Sequence, residues 1–178
     1  MTMEEARGRR WYALYTKHHH EKKAADILAR KGIDTFLPLN RSLRQWKDRR
    51  KTVAMPLFPG YVFLRSDLSN RLEILNTPGV FFIVESAGHA CPVPEQEIEA
   101  VRAAAESGFK LEPHPYLESG ERVRIRSGPL AGISGLVVES RNQHRVVISV
   151  ELLRKAVAVA VDLENLEKIS PERPARSR

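Results

Sequence analysis

Apolar and polar positions alternate in short blocks along most of this chain. Residues 11–15, Trp-Tyr-Ala-Leu-Tyr, form a β-favouring run after a basic start. From residue 19 to 31 the period lengthens. Ala24, Ala25 and Leu28 share one face, and Gly32 is placed to end a helix. Residues 33–39 return to a strand pattern. Residues 42–46 and 52–57 read as arms of a hairpin with its tip at 47–51, and residues 61–64 as another strand. Leu68, Leu72 and Leu75 have helical spacing, Asp67 can cap their start, and Pro78 stops them. The all-apolar run 80–84 predicts a buried strand. Residues 94–105 predict a helix, with Pro94 at its start and Glu95, Glu97 and Glu99 in its first turns. Strands interleaved with helices over residues 9–107 predict an α/β sandwich.

The pattern then changes. Residues 108–118 contain Gly108, Pro113 and Pro115 and no periodicity, which reads as a linker. Beyond it the chain is all-β in character. Val123 and Ile125 alternate with Arg122, Arg124 and Arg126, and Val146, Ile148 and Val150 alternate again. Residues 156–161 put valines on one face and alanines on the other. Five short strands over residues 119–170 suit a small SH3-like β-barrel. The tail, 171–178, is expected to be disordered. The fold class is therefore α+β, a sandwich followed by a barrel, with no internal repeat.

Composition narrows the setting. A 178-residue chain with 42% hydrophobic and 29% charged residues is that of one or two small globular domains. No apolar run approaches the ~20 residues of a membrane helix. The charged first ten residues do not read as a secretory signal. One cysteine, Cys91, rules out an internal disulfide, so a reducing cytoplasm is expected. The net charge of +7 is uneven: residues 7–51 carry 14 Lys and Arg against 4 Asp and Glu, leaving the remainder at −3. A basic N-terminal third suggests a surface for an anionic polymer.

Several motifs bear on chemistry. In Phe58-Pro59-Gly60-Tyr61 a missing donor and a permissive glycine force a bend just before a strand, fixing Phe58 and Tyr61 in a set geometry. The segment 128–135, with Gly128, Pro129, Gly132 and Gly135, lacks the Lys-Ser/Thr ending of a phosphate loop and reads as a tight turn between strands. His18, His19 and His20 cannot all face one ion, because successive side chains diverge by roughly 100° in a helix or 180° in a strand, so no metal site is expected. No nucleophile–base pattern stands out, and neither an enzyme nor a cofactor is expected. Lys23, Arg30 and Lys31 share one helical face, with Lys17 just before it. They are either a nucleic-acid contact or an ordinary solvated face. The tip residues Lys47, Arg49 and Arg50 carry the same two readings. Trp46 beside them is either a platform for an unstacked base or a core residue of the hairpin.

Read in order, Trp11-Tyr12-Ala13-Leu14-Tyr15, Phe58-Pro59-Gly60-Tyr61, Thr77-Pro78-Gly79-Val80 and Gly128-Pro129-Leu130-Ala131-Gly132-Ile133-Ser134-Gly135 resemble the NusG family of transcription elongation factors. The resemblance covers residues 10–169 and implies an N-terminal domain of the NGN type and a C-terminal KOW domain. It implies a monomeric factor whose N-terminal domain binds the clamp helices of the largest RNA polymerase subunit through an apolar depression. The positions matching that depression are Trp11, Phe58, Pro59 and Tyr61. It also turns the first helix and the hairpin toward upstream or non-template DNA. The KOW partner loops would include Leu130, Leu152 and Leu153, which stand where general members carry aromatic residues. That difference counts against contact with the termination factor Rho and leaves a small-subunit ribosomal protein as a possible partner. The segments 46–51 and 18–23 look more like the operon-specific antiterminators of the RfaH and exopolysaccharide-operon kind. A general NusG coupled to Rho or the ribosome is the alternative. A ribosomal or RNA-binding KOW protein is the reading from another class, but it predicts basic charge in the barrel.

Overall fold

A computed structural model describes residues 8–45, 50–140 and 143–169. The chain divides into two compact units, 1–99 and 100–178. In the first, β1 (Arg10–Thr16) is followed by α1 (Glu21–Arg30), β2 (Asp34–Phe36), β3 (Leu39–Gln45), β4 (Arg50–Pro56) and β5 (Tyr61–Ser66). Then come α2 (Arg71–Leu75), β6 (Val80–Ile83), β7 (Glu85–Ser86), β8 (His89–Ala90) and β9 (Pro92–Val93). The main sheet is antiparallel, in the order β2-β5-β1-β6, with β9 also paired to β1. Its central strand β1 alternates. Tyr12 and Leu14 pack with Leu28 of α1, Ile74 of α2 and Val62, Leu64 and Ile83 of the flanking strands. The opposite face carries a ring cluster in which Phe36 meets Trp11 and Phe63, and Phe58 meets Phe63 edge-on.

α1 forms where the 3.6-residue period predicts it, with Ala24 and Leu28 buried. The helix near residue 70 is shorter than expected. α2 starts only after Asn70, so Leu72 points to solvent and Ile74 takes the core position. Asp67 caps a turn instead of a helix: its Oδ1 accepts the Ser69 amide at 2.8 Å. β3 and β4 pair from Leu39↔Pro56 to Gln45↔Arg50 as a separate two-stranded sheet. Arg50 and Lys51, read as part of the hairpin tip, therefore lie within β4. Trp46, Lys47 and Arg49 lie outside the described residues, as does the tail 171–178.

The unit boundary falls within α3 (Glu95–Glu106). The second unit contains β10 (Leu111–His114), β11 (Glu121–Ile125), β12 (Ser134–Ser140), β13 (Gln143–Val150), β14 (Lys155–Ala160) and β15 (Leu166–Lys168). They form one antiparallel sheet in the order β10-β14-β13-β12-β11-β15. The five strands expected after residue 119 are present, and a sixth, β10, comes from the segment read as a linker. Pro113 hid it, but an edge strand tolerates proline because its outward amide needs no partner. β10 pairs with β14 from Leu111↔Val159 to His114↔Ala156. Leu117, from the same segment, packs with Val138 against Val147, Ala156 and Ala158. Both faces of β14 are thus covered, which accounts for its Ala/Val alternation.

Candidate functional site

Tyr15 is the centre of a surface aromatic cluster in the first unit. Across the sheet it is register-paired with Tyr61 of β5 on one side and Phe82 of β6 on the other. Its ring lies 5.4 Å from that of Tyr61 and stacks on Phe82 at 5.1 Å. A register shift between Tyr15 and Thr16 pairs Thr16 with Val80, so Phe81 is the extra residue of a β-bulge. Bulges re-aim side chains. Here the bulge brings Phe81 within 6.0 Å of the Tyr15 ring as well. Phe81 and Phe82 remain 59% and 50% exposed, which corrects the expectation that residues 80–84 form a buried strand. Pro59 is exposed and Tyr61 is half-buried. Burial raises the phenol pKa of Tyr61, and neighbouring Tyr15 adds to the effect.

Two of the four residues expected on this surface are not on it. Trp11 and Phe58 are each only 2% exposed. Trp11 packs on Phe36 and donates its indole N–H to Glu95 Oε1 at 3.0 Å. Phe58 packs under the bend against Phe63. A large ring on the inner side of a forced bend, as that of Phe58 is, buries more apolar area than it could at the crest. Phe58 thus lies beneath the bend and Trp11 at the other end of β1, whereas Pro59 is exposed and Tyr61 half-buried. Tyr15, Phe81 and Phe82 were missed from sequence. The exposed end of an alternating strand looks like its interior, and nothing local signals a bulge.

The bend itself is held by hydrogen bonds. Tyr61 N–H donates to Phe58 O at 3.1 Å and Thr16 N–H to Gly60 O at 2.8 Å. Gly60 takes φ +85, where a side chain would be strained, and a Cβ there would lie 3.2 Å from Tyr15 Cε2. Its amide donates to the buried carboxylate of Glu21 at 2.8 Å. The Thr77-Pro78-Gly79-Val80 segment docks on the same strand end, with Lys17 N–H donating to Gly79 O at 2.8 Å.

The basic residues of α1 separate into two groups. Lys17 and Lys23 are exposed. Arg30 pairs with Asp26 at 2.7 Å, and Lys31 reaches Glu73 at 3.8 Å and Thr77 Oγ1 at 3.4 Å. Lys22 donates to Ala54 O of β4 at 2.6 Å, tying the helix to the hairpin. The exposed rings of His18 and His19 lie 3.9 Å apart, tilted by 47°. Among the described residues no group of His, Cys, Asp and Glu could hold a metal ion, and no helix is long and apolar enough to cross a membrane.

In the second unit residues 128–133 form a turn between β11 and β12, and Ser134 and Gly135 already belong to β12. Gly128 and Gly132 take positive φ, and Gly132 N–H donates to Ile125 O at 2.7 Å. Gly135 serves packing instead: a Cβ there would lie 2.5 Å from Val147 O. The expected partner-loop residues Leu130 and Leu153 are buried, and Leu152 is half-buried. Arg154 is the loop's exposed feature. It lies over Tyr116 at 4.5 Å and pairs with Glu118. A groove of about 480 Å³ opens between residues 127–130 and 160–165, with Phe109 and Leu163 among its lining.

Residues 9–102 match the family described as "Transcription termination factor nusG". A protein of Staphylococcus aureus, "Transcription termination/antitermination protein NusG", is 30% identical, over 93% of this chain and 99% of its own length. The protein of the same description from Pseudomonas aeruginosa is 26% identical, over 91% and 99%. The solved structure "Domain interaction in Thermotoga maritima NusG" is similar in fold, with a TM-score of 0.56 at 22% identity, covering 93% of this chain and 99% of that one. The chain belongs to the NusG family of transcription termination/antitermination factors.

Proposed function

We propose that this chain rides on RNA polymerase during elongation and suppresses pausing or termination at particular operons. Its surface of Tyr15, Pro59, Tyr61, Phe81 and Phe82 would receive the clamp helices of the largest subunit. The observation that carries this reading is the exposure of Phe81 and Phe82 beside stacked Tyr15. Contiguous exposed aromatic area is a liability on a protein without a partner, and an apolar helix face is the kind of partner that removes it. Phe58, packed beneath the bend, helps hold Pro59 and Tyr61 in place. Lys17 and Lys23 beside it, with the β3–β4 hairpin, would face upstream or non-template DNA in the cytoplasm. Operon specificity rests on the resemblance of residues 18–23 and 46–51 to specialised members.

The second unit offers less for Rho. Leu130 and Leu153 occupy its interior, which favours a specialised antiterminator over a general factor. The test is pull-down of a clamp-helix fragment. Phe82→Ala and Tyr61→Ala should each weaken capture about tenfold or more while the protein stays folded, as for central aromatic anchors. Undiminished capture by the folded double variant would overturn the site.

A further inference from the structure

The Phe58–Tyr61 bend is held by a buried side chain from α1. Glu21 opens α1 yet is only 2% exposed. Its Oε1 accepts the Gly60 amide at 2.8 Å, while the Gly60 carbonyl accepts the Thr16 amide at 2.8 Å. One peptide group of the bend is therefore tied to the helix and the next to the end of β1. His18 Nδ1 stands 4.0 Å from the same oxygen, on an exposed ring. A buried carboxylate is costly unless hydrogen-bonded, so the Gly60 amide is part of what keeps Glu21 inside. Tyr15 rests against Gly60 and Tyr61 follows it, so the acceptor that places Gly60 also places both rings. The same helix carries exposed Lys23 and is fastened to β4 through Lys22.

We infer that Glu21 is a positioning residue. It locks the aromatic surface to the basic helix, so that docking the aromatics on a partner sets where Lys17, Lys23 and the hairpin meet nucleic acid. The partner in this inference is the polymerase of the proposed function, and to that extent the inference rests on it.

The test uses the full chain and two readouts, affinity for the clamp-helix fragment and ring resonances of Tyr15, Tyr61 and Phe82 by NMR. Glu21→Ala should weaken affinity about tenfold and shift those rings while sparing Tyr12 and Phe63. Glu21→Asp, one methylene short of Gly60, should lose several-fold and covers the case in which the alanine variant does not fold. Glu21→Gln retains an acceptor at Oε1 and should stay within about twofold of wild type, which general loss of stability would not produce. Glu21→Ala/Tyr61→Ala should bind no worse than Tyr61→Ala alone, because the two act as one unit. Shifted rings with no binding even by wild type would overturn the polymerase reading and leave Glu21 as the placer of the bend. Unmoved rings, or losses that simply add, would overturn the positioning role while wild-type binding stood.

Discussion

Trp11 donates its indole N–H to Glu95 Oε1 at 3.0 Å, joining the start of the central strand to the start of α3. Glu95 also pairs with Arg65 of β5 at 3.3 Å. The ring of Trp11 is fully packed on its other sides, so its role is in folding. Trp11→Ala should cost about 3–5 kcal/mol of stability, the range for deleting a buried aromatic. Phe81→Ala should change stability by no more than about 0.5 kcal/mol, as expected of an exposed position. Urea melts of the two variants decide it. A Trp11 variant as stable as wild type but deficient in binding would return Trp11 to the surface.

Gly135 lies in β12 opposite Val123 of β11, and a Cβ there would meet Val147 O at 2.5 Å and Val146 Cγ1 at 2.7 Å. The first of these is backbone, which cannot swing aside. Gly135→Ala should force β12 and β13 apart and destabilise the second unit by about 1–3 kcal/mol, as overpacking does. Gly128→Ala meets no atom within 4 Å and carries only the strain of φ +84. Circular dichroism melts should therefore rank Gly135→Ala below Gly128→Ala, and the reverse order would contradict the packing account.

Much of this architecture was legible from short motifs. The β1 run, the α1 period and the bend at Pro59-Gly60 each arise from local preferences that tertiary context leaves intact. Three features were not legible. β10 carries Pro113, which reads as linker until its pairing with β14 makes it an edge strand. The exposure of Phe81 and Phe82 depends on a bulge whose register only the partner strand defines. Trp11 and Tyr15 share a face of β1, and the split between buried Trp11 and exposed Tyr15 depends on which end of that face other rings cover, which apolar spacing alone cannot tell.

Lys23 and Arg30 share a helical face but differ in electrostatics. Arg30 is held by Asp26 at 2.7 Å, while Lys23 stands exposed. If α1 faces DNA, Lys23→Ala should weaken association with an elongation complex and lower the salt slope by about 0.7–0.9 per lost phosphate contact. Arg30→Ala should do less, because Arg30 is already engaged by Asp26 and would have to give up that pair to meet a phosphate. Binding measured across a salt series separates them, and equal flattening by both variants would show that the Asp26 pair opens on binding.

Besides its backbone pairing with β14, β10 is tied to β13 through one carboxylate. Glu112 accepts from Lys110 Nζ at 2.8 Å and from Arg145 Nη1 of β13 at 2.6 Å. These bonds, Lys110 first and Arg145 second, hold its pKa below the usual carboxylate value. A carboxylate with a depressed folded pKa contributes stability above its unfolded pKa, about 4.3 for Glu, and loses it as pH falls through the folded value. Acidification below about pH 4 should therefore loosen the Leu111–His114 strand before the rest of the sheet. Amide NMR signals of Leu111 and Glu112, with those of their β14 partners Val159 and Ala158, should shift or broaden in that window while Leu136 and Val147 of the β12–β13 pair hold. Glu112→Gln should abolish the pH step and leave β10 equally loose at neutral pH. A step that persists in that variant would assign the acid sensitivity to another carboxylate.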